Sequence, residues 1–188
     1  MRRIETPIDK NVLKSLRAGD KVLLSGVVYT ARDAAHKRLV EALSSGEGLP
    51  MDLRNQTIYY VGPAPTKDGA VIGPAGPTTS GRMDMFTPRL LDYGLSAMIG
   101  KGKRDQNVID AMKVNEAVYF AAIGGAAALI AESVKSIEIV AYEDFGTEAI
   151  RRLVIEDMPL TVAIDSQGQD YYVVGRQKYL TEMREAIS

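Results

Sequence analysis

The sequence predicts an α/β domain in three layers, a sheet packed on a second sheet with helices outside. Three observations carry that expectation. Strand-like apolar runs alternate with helical stripes through the middle of the chain, which implies parallel pairing around an α/β core. The N- and C-terminal stretches are rich in strand formers, which supplies a second layer of strands. Finally, the 188 residues are the size of one large domain. No repeat, low-complexity linker or boundary divides residues 1–188, so a single domain is expected. A chain this long buries roughly 70% of its unfolded surface, enough for a core without covalent staples.

The elements follow from local pattern. A Pro turn opens "DKNVLKSLRAG", where Val12, Leu13 and Leu16 make a short helical stripe stopped by Gly19. "DKVLLSGVVYTA" (20–31) reads as a buried strand. In 32–46, Ala35, Leu39, Val40 and Leu43 recur at helical spacing and Gly46 can end the helix. "TIYYVGPAP" (57–65) is a strand running into Pro-rich turns. Residues 80–94 read as helix, with Pro88 forcing a kink or a restart. A short strand over 95–99, a Gly-rich turn and a helix over 106–116 come next. A strand over 117–123 and a helix over 124–134 follow. In 136–144, Ile137, Ile139 and Ala141 are expected to face inward. "RRLVIED" and "PLTVAID" read as two further strands, "SQGQD" as a turn, and 176–188 as a helix.

Composition excludes several function classes. Hydrophobic residues are 46% and charged residues 25%, ordinary values for a globular protein, and the net charge is −1. Without a basic surplus, nucleic acid is not expected as the main partner. The chain has no cysteine and one histidine, His36. It therefore builds no disulfide, thiolate metal site or histidine-cluster metal site of its own. "MRRIETPIDK" lacks the apolar stretch of a signal peptide. The run at 117–131 is short for a bilayer and is broken by Gly124 and Gly125. A cytoplasmic, soluble protein with no membrane partner is the expectation.

Three stretches share one design: a strand end, a polar or Gly-rich turn, and a helix start. They are "YTARDAAHKR" (29–38), "GPTTSGRMD" (76–84) and "GKGKRD" (100–105). Helix N-termini present unpaired N–H groups and a partial positive charge. Each stretch adds cations there: Arg32, Arg82, and Lys101 with Lys103. A cation opposes the dipole at that end, so the placement makes sense if an external anion sits between them. If the preceding strands are neighbours, the turns gather at one sheet edge. A dicarboxylate suits such a site, because arginine grips a carboxylate bidentately and hydroxyls complete the shell.

Plainer readings stand beside this one. Thr79 or Ser80 can serve as a helix cap. Arg32 can pair on the surface with Asp33 or Glu41. "GKGKRD" can be a solvated turn. The chain contains neither a P-loop nor a G-x-G-x-x-G after a strand. His36 lies four residues after Arg32, so both are expected on one side of the helix. It is either a structural residue or a group that moves protons near neutral pH.

These stretches, with "IGGAAALIAESVKSIE" and "GTEAIRRLVIEDMPLTVAID", resemble the C-terminal region of the class I iron–sulfur fumarate hydratases. In many organisms that region is a separate β subunit, and the family includes the β subunit of L-tartrate dehydratase. The resemblance runs from about residue 6 to 175, and "GPTTSGRMD" is its most specific part. It implies a swivelling β/β/α domain and reversible hydration of fumarate to malate. It implies a [4Fe–4S] cluster held by three cysteines of a separate α subunit, which this chain joins in an α2β2 hetero-oligomer and without which it is inactive. Arg32, Thr78, Thr79, Arg82 and Lys101 would then hold the dicarboxylate, with Thr79 and His36 as the candidates for proton transfer. Alternatives are a tartrate or related hydroxy-diacid dehydratase subunit, and a non-catalytic dicarboxylate-binding subunit.

One departure marks this chain. Fumarases of the family read Gly-Lys-Gly-Asn-Arg-Ser where "GKGKRD" stands, so Lys103 and Asp105 are replacements and Lys101 is kept. The tartrate enzymes lack the arginine after this turn and carry Glu in place of Asp84. Arg104 and Asp84 therefore lean towards fumarate.

Overall fold

A computed structural model describes residues 1–64, 71–122 and 127–175. The expected helix at 176–188 lies outside the described residues, as do the end of the 57–65 strand and the Gly-Gly start of the 124–134 helix. The fold is mixed α/β. Its strands are β1 (Arg2–Glu5), β2 (Lys21–Thr30), β3 (Thr57–Tyr59), β4 (Ala97–Gly100), β5 (Val118–Ala121), β6 (Val134–Ala141) and β7 (Ile150–Ile164). Its α-helices are α1 (Lys10–Ser15), α2 (Asp33–Ser45), α3 (Thr87–Tyr93), α4 (Gln106–Asn115) and α5 (Ala127–Ser133).

The strands join in the order β1-β2-β3-β4-β5-β7-β6, and β2 also pairs with β7. That extra pairing closes a circuit through β2, β3, β4, β5 and β7. The steps from β2 to β5 are parallel, and those made by β7 are antiparallel. Parallel neighbours need a crossover, and α2, α3 and α4 lie in those connections.

Side chains of β3–β5 alternate between two apolar clusters. Tyr59, Ile99 and Phe120 join Val22, Leu24, Val28, Leu153 and Ile155. Ile58, Met98 and Tyr119 join Leu39 of α2, Leu90 of α3 and Met112 of α4. The period of two puts successive residues on opposite faces, so both faces of these strands are covered.

Several elements differ from expectation. β1 was not legible, because "RRIE" has one apolar residue, Ile4; its backbone pairing with β2 makes it a strand. The expected 80–94 helix is a 3-10 helix (Ser80–Met83) followed by α3. Pro88 sits in the first turn of α3, where its missing N–H has no intrahelical partner to lose. The two expected strands at 151–165 are one strand, β7, irregular opposite Leu24–Gly26. Asp157 takes a positive φ of 50° at that irregularity. In β6, Ile139 is 48% exposed rather than inward; it lies opposite Arg151, and the register on β7 shifts between Ile139 and Ala141. Among the described residues no helix is long and apolar enough to cross a membrane.

Candidate functional site

β2, β3 and β4 run parallel, so their C-terminal ends reach one edge together. Hydrogen bonds beyond the strands tie the three turns into one surface. Ala31 N–H donates to Tyr59 O at 3.2 Å, Thr78 N–H to Tyr60 O at 2.8 Å, and Ser80 N–H to Lys101 O at 2.9 Å. Thr79 and Lys101 form a parallel bridge. Arg82 Nε donates to Asp33 Oδ1 at 2.9 Å, joining the 76–84 turn to the start of α2. The expectation that the three stretches share one edge matches this arrangement.

The rim is open to solvent. Thr79, Arg82 and Lys101 are exposed, and Arg32 and Thr78 are partly buried. Thr79 is the N-cap residue of the 3-10 helix, yet its hydroxyl makes no cap hydrogen bond. Arg32 precedes α2 as its N-cap residue, also without a side-chain cap. Arg32 pairs with Glu148 at 3.4 Å, and Glu148 accepts from Ala34 N–H at 2.9 Å. Gly62 makes room for this guanidinium: a Cβ there would lie 2.8 Å from Arg32 Nη1. The plain pairings considered for Arg32 are thus not the ones formed; Asp33 pairs with Arg82, and Glu41 with Lys37.

Beneath the rim lies a closed polar floor. Arg104 Nε donates to Asp84 Oδ1 at 2.6 Å, and Nη2 donates to Thr87 Oγ1 at 2.8 Å. Asp84 Oδ2 accepts from Asp105 N–H at 2.6 Å, which anchors the "GKGKRD" turn. The Arg104 guanidinium also faces the rings of Tyr60 and Tyr119. Ser80 Oγ bonds Tyr119 Oη at 2.8 Å and accepts from Lys101 N–H at 3.1 Å. Tyr119 Oη donates to Gly102 O at 3.0 Å, and burial pushes this phenol's pKa up. Arg104 and Asp84 are closed to solvent and shape the turns from beneath.

His36 belongs to this interior. It is fully buried, edge-on to Tyr60. Its Nδ1 lies 2.9 Å from Arg32 O; a carbonyl only accepts, so Nδ1 carries the proton. Nε2 is buried without a partner among the described residues. Burial lowers the pKa to about 4, against the bond to Arg32 O, with Arg104 nearby lowering it further. The expectation that His36 and Arg32 project together is corrected. Arg32 is the N-cap with extended backbone angles; its carbonyl accepts the first helical bond, from His36 N–H at 2.8 Å, but its side chain pairs with Glu148 while His36 is buried.

Residues 2–175 match the model of the family described as "Fumarase C-terminus". The chain belongs to the Fumarase C-terminus family. It is 42% identical over 169 residues to "Fumarate hydratase class I, aerobic" of Escherichia coli (strain K12), covering 89% of this chain and 30% of that protein. It is 38% identical over 173 residues to "Fumarate hydratase 2" of Leishmania major, covering 90% of this chain and 30% of that protein. The chain thus spans about a third of the length of these fumarate hydratases. Over 186 residues it is 38% identical to "Putative L(+)-tartrate dehydratase subunit beta" of Methanocaldococcus jannaschii, covering 96% of this chain and 95% of that protein.

Sequence reasoning grouped the three turns and missed the residues that hold them. Glu148 and Asp33 carry no local signal as arginine partners, lying 116 and 49 residues from the groups they hold. Gly62 and Gly100 are legible only as glycines after strands. At Gly100, a Cβ would collide with Ser80 Oγ.

Proposed function

We propose that this chain is the β subunit of an iron–sulfur hydro-lyase that reversibly hydrates fumarate to malate. In this reading one swivelling domain over residues 1–188, with its sheet, sheet and helix layers, closes a dicarboxylate against a separate α subunit. The observation that carries the reading is the convergence of three turns bearing Arg32, Thr78, Thr79, Arg82 and Lys101. Family membership and the same-length relative named as a subunit support it.

The [4Fe–4S] cluster does not fit this chain. There is no cysteine, and no group of three His, Cys, Asp or Glu side chains among the described residues could hold a metal ion. The cluster belongs in this reading to the cysteine-bearing α subunit of a cytoplasmic α2β2 assembly. This chain contributes binding, orientation and proton handling. Arg32 and Arg82 clamp carboxylates, and the Thr78 hydroxyl bonds the ligand. Lys101 places a positive charge where the aci-carboxylate develops after proton loss. Thr79, with its uncapped and exposed hydroxyl, is the proton-transfer group of this side, activated by a neighbour in the assembled site. His36 is a positioning residue that holds the Arg32 carbonyl. Closure over the partner excludes water and completes the site.

The same-length tartrate relative favours a second reading, an L-tartrate or related hydroxy-diacid dehydratase subunit with the same clamp. Anaerobic co-expression with the cysteine-bearing partner separates the two. Fumarate hydration that needs both chains supports the first reading, and L-tartrate dehydration the second. A complex that binds dicarboxylates without turnover indicates a non-catalytic binding subunit, and no complex at all removes the β-subunit reading.

A further inference from the structure

Arginine–aspartate pairs fall into two kinds on this surface. Away from the site, Arg3 holds Asp157 through two hydrogen bonds of 3.0 Å each. Arg38 likewise holds Asp144 through bonds of 3.0 and 2.9 Å. Each is bidentate and uses both carboxylate oxygens. Arg82 differs. Its Nε alone donates to Asp33 Oδ1 at 2.9 Å. The second oxygen, Oδ2, is buried and has no partner among the described residues.

The pair sits at the water's edge, with side-chain exposures of 50% for Arg82 and 30% for Asp33. An ion pair this exposed is a weak fastener for the fold. Its geometry suits another purpose. Asp33 opens α2, whose N-terminus favours a negative charge, so the carboxylate is held on a rigid element. From there it pins the guanidinium at Nε and, among the described residues, leaves both terminal nitrogens without a partner, the fork that matches a carboxylate. Fixing a flexible side chain in its binding orientation lowers the ordering cost of binding.

We propose that Asp33 is a positioning residue that orients Arg82 for end-on, bidentate capture of a ligand carboxylate. The proposal rests on the dicarboxylate-clamp reading above. It contrasts with an inhibitory role, in which Asp33 would compete with the ligand for Arg82.

The test is titration of the chain, assembled with its cysteine-bearing partner, with fumarate, L-malate and L-tartrate, following arginine 15Nε–H resonances. It compares wild type, Asp33→Asn, Asp33→Ala, Arg82→Ala and the double variant Asp33→Ala with Arg82→Ala. Asp33→Ala weakens dicarboxylate binding on the order of tenfold. Asp33→Asn, whose amide oxygen still accepts from Nε–H, falls between it and wild type. Asp33→Ala has no further effect once Arg82 is Ala, a non-additivity that a general loss of stability would not produce. Wild-type affinity or tighter binding in Asp33→Ala overturns the proposal and leaves the clamp reading standing. No Arg82 response to any of the three ligands in wild type overturns both. Should Asp33→Ala not fold, Asp33→Asn decides: weaker binding upholds the proposal, and unchanged or tighter binding overturns it.

Discussion

Arg104 and Arg82 both meet an aspartate across two of the site's turns, yet the two pairs do opposite work. Arg104–Asp84 is closed to water, with side-chain exposures of 0% and 4%. Its donors are shared among Asp84, Thr87, Tyr60 and Met98. Arg82 gives one donor to Asp33 and stays half exposed. A buried pair of this kind fixes geometry, and breaking one partner leaves an uncompensated charge. The exposed pair adds little to stability and keeps donors for exchange. The floor shapes the turns from beneath, while the rim leaves donors open to solvent.

The largest effect should come from breaking the floor. Asp84→Ala strands Arg104 in the interior and frees Asp105 N–H, and chemical denaturation should show a loss of about 3–5 kcal/mol. Adding Arg104→Met should recover part of that loss, because the stranded charge is gone. If Asp84→Ala left stability intact, the floor would not be the scaffold described.

Breaking the rim should do the reverse. In the assembled complex, Arg82→Ala should lower kcat/KM by about 2–4 kcal/mol of transition-state stabilisation. Its effect on the folding stability of the chain should stay within about 0.5 kcal/mol.

Gly100→Ala should fall between the two. A Cβ there meets Ser80 Oγ and the Tyr60 ring, so overpacking of about 1–3 kcal/mol is expected. The shifted Ser80 should also disturb Lys101, measurable as weaker ligand affinity alongside the lowered Tm.

His36 sharpens the comparison by pH. Its folded pKa of about 4 lies below the usual 6.5, so the unfolded chain binds the proton more readily. Its neutral burial is compatible with full stability above about pH 6.5, and stability falls as pH drops towards about 4. At about pH 5.5 the loss should reach roughly 1.4 kcal/mol. His36→Asn should flatten that slope in equilibrium unfolding while leaving the pH–rate profile of the complex unchanged. A changed profile would return His36 to the proton-transfer step.

The rim was legible because its signals are local. "GPTTSGRMD" and "GKGKRD" place hydroxyls and cations beside strand ends and helix starts, and parallel strands bring such ends together. The supports were not legible because they are tertiary. Glu148 reaches Arg32 from the far side of the sequence. Arg104 and Asp84 stood out only for their lean towards fumarate, and nothing local shows that they pair in the interior, with the Arg104 guanidinium against Tyr60 and Tyr119. His36 looked available beside Arg32, but helical spacing says nothing about a side chain whose residue precedes the helix. In the fold, alternation identified the strands facing two cores. It failed at β6, where the register shifts beside an exposed Ile139, and at β1, whose identity rests on backbone pairing alone.

The most direct measurement is fumarate hydration by the cysteine-bearing partner, assayed anaerobically alone, with this chain, and with this chain carrying Arg82→Ala. The expectation is no turnover by the partner alone, full turnover with the wild-type chain, and an assembled complex of normal Tm but roughly 30- to 1,000-fold lower kcat/KM with Arg82→Ala. Equal turnover by wild type and Arg82→Ala, or full turnover by the partner alone, would contradict it.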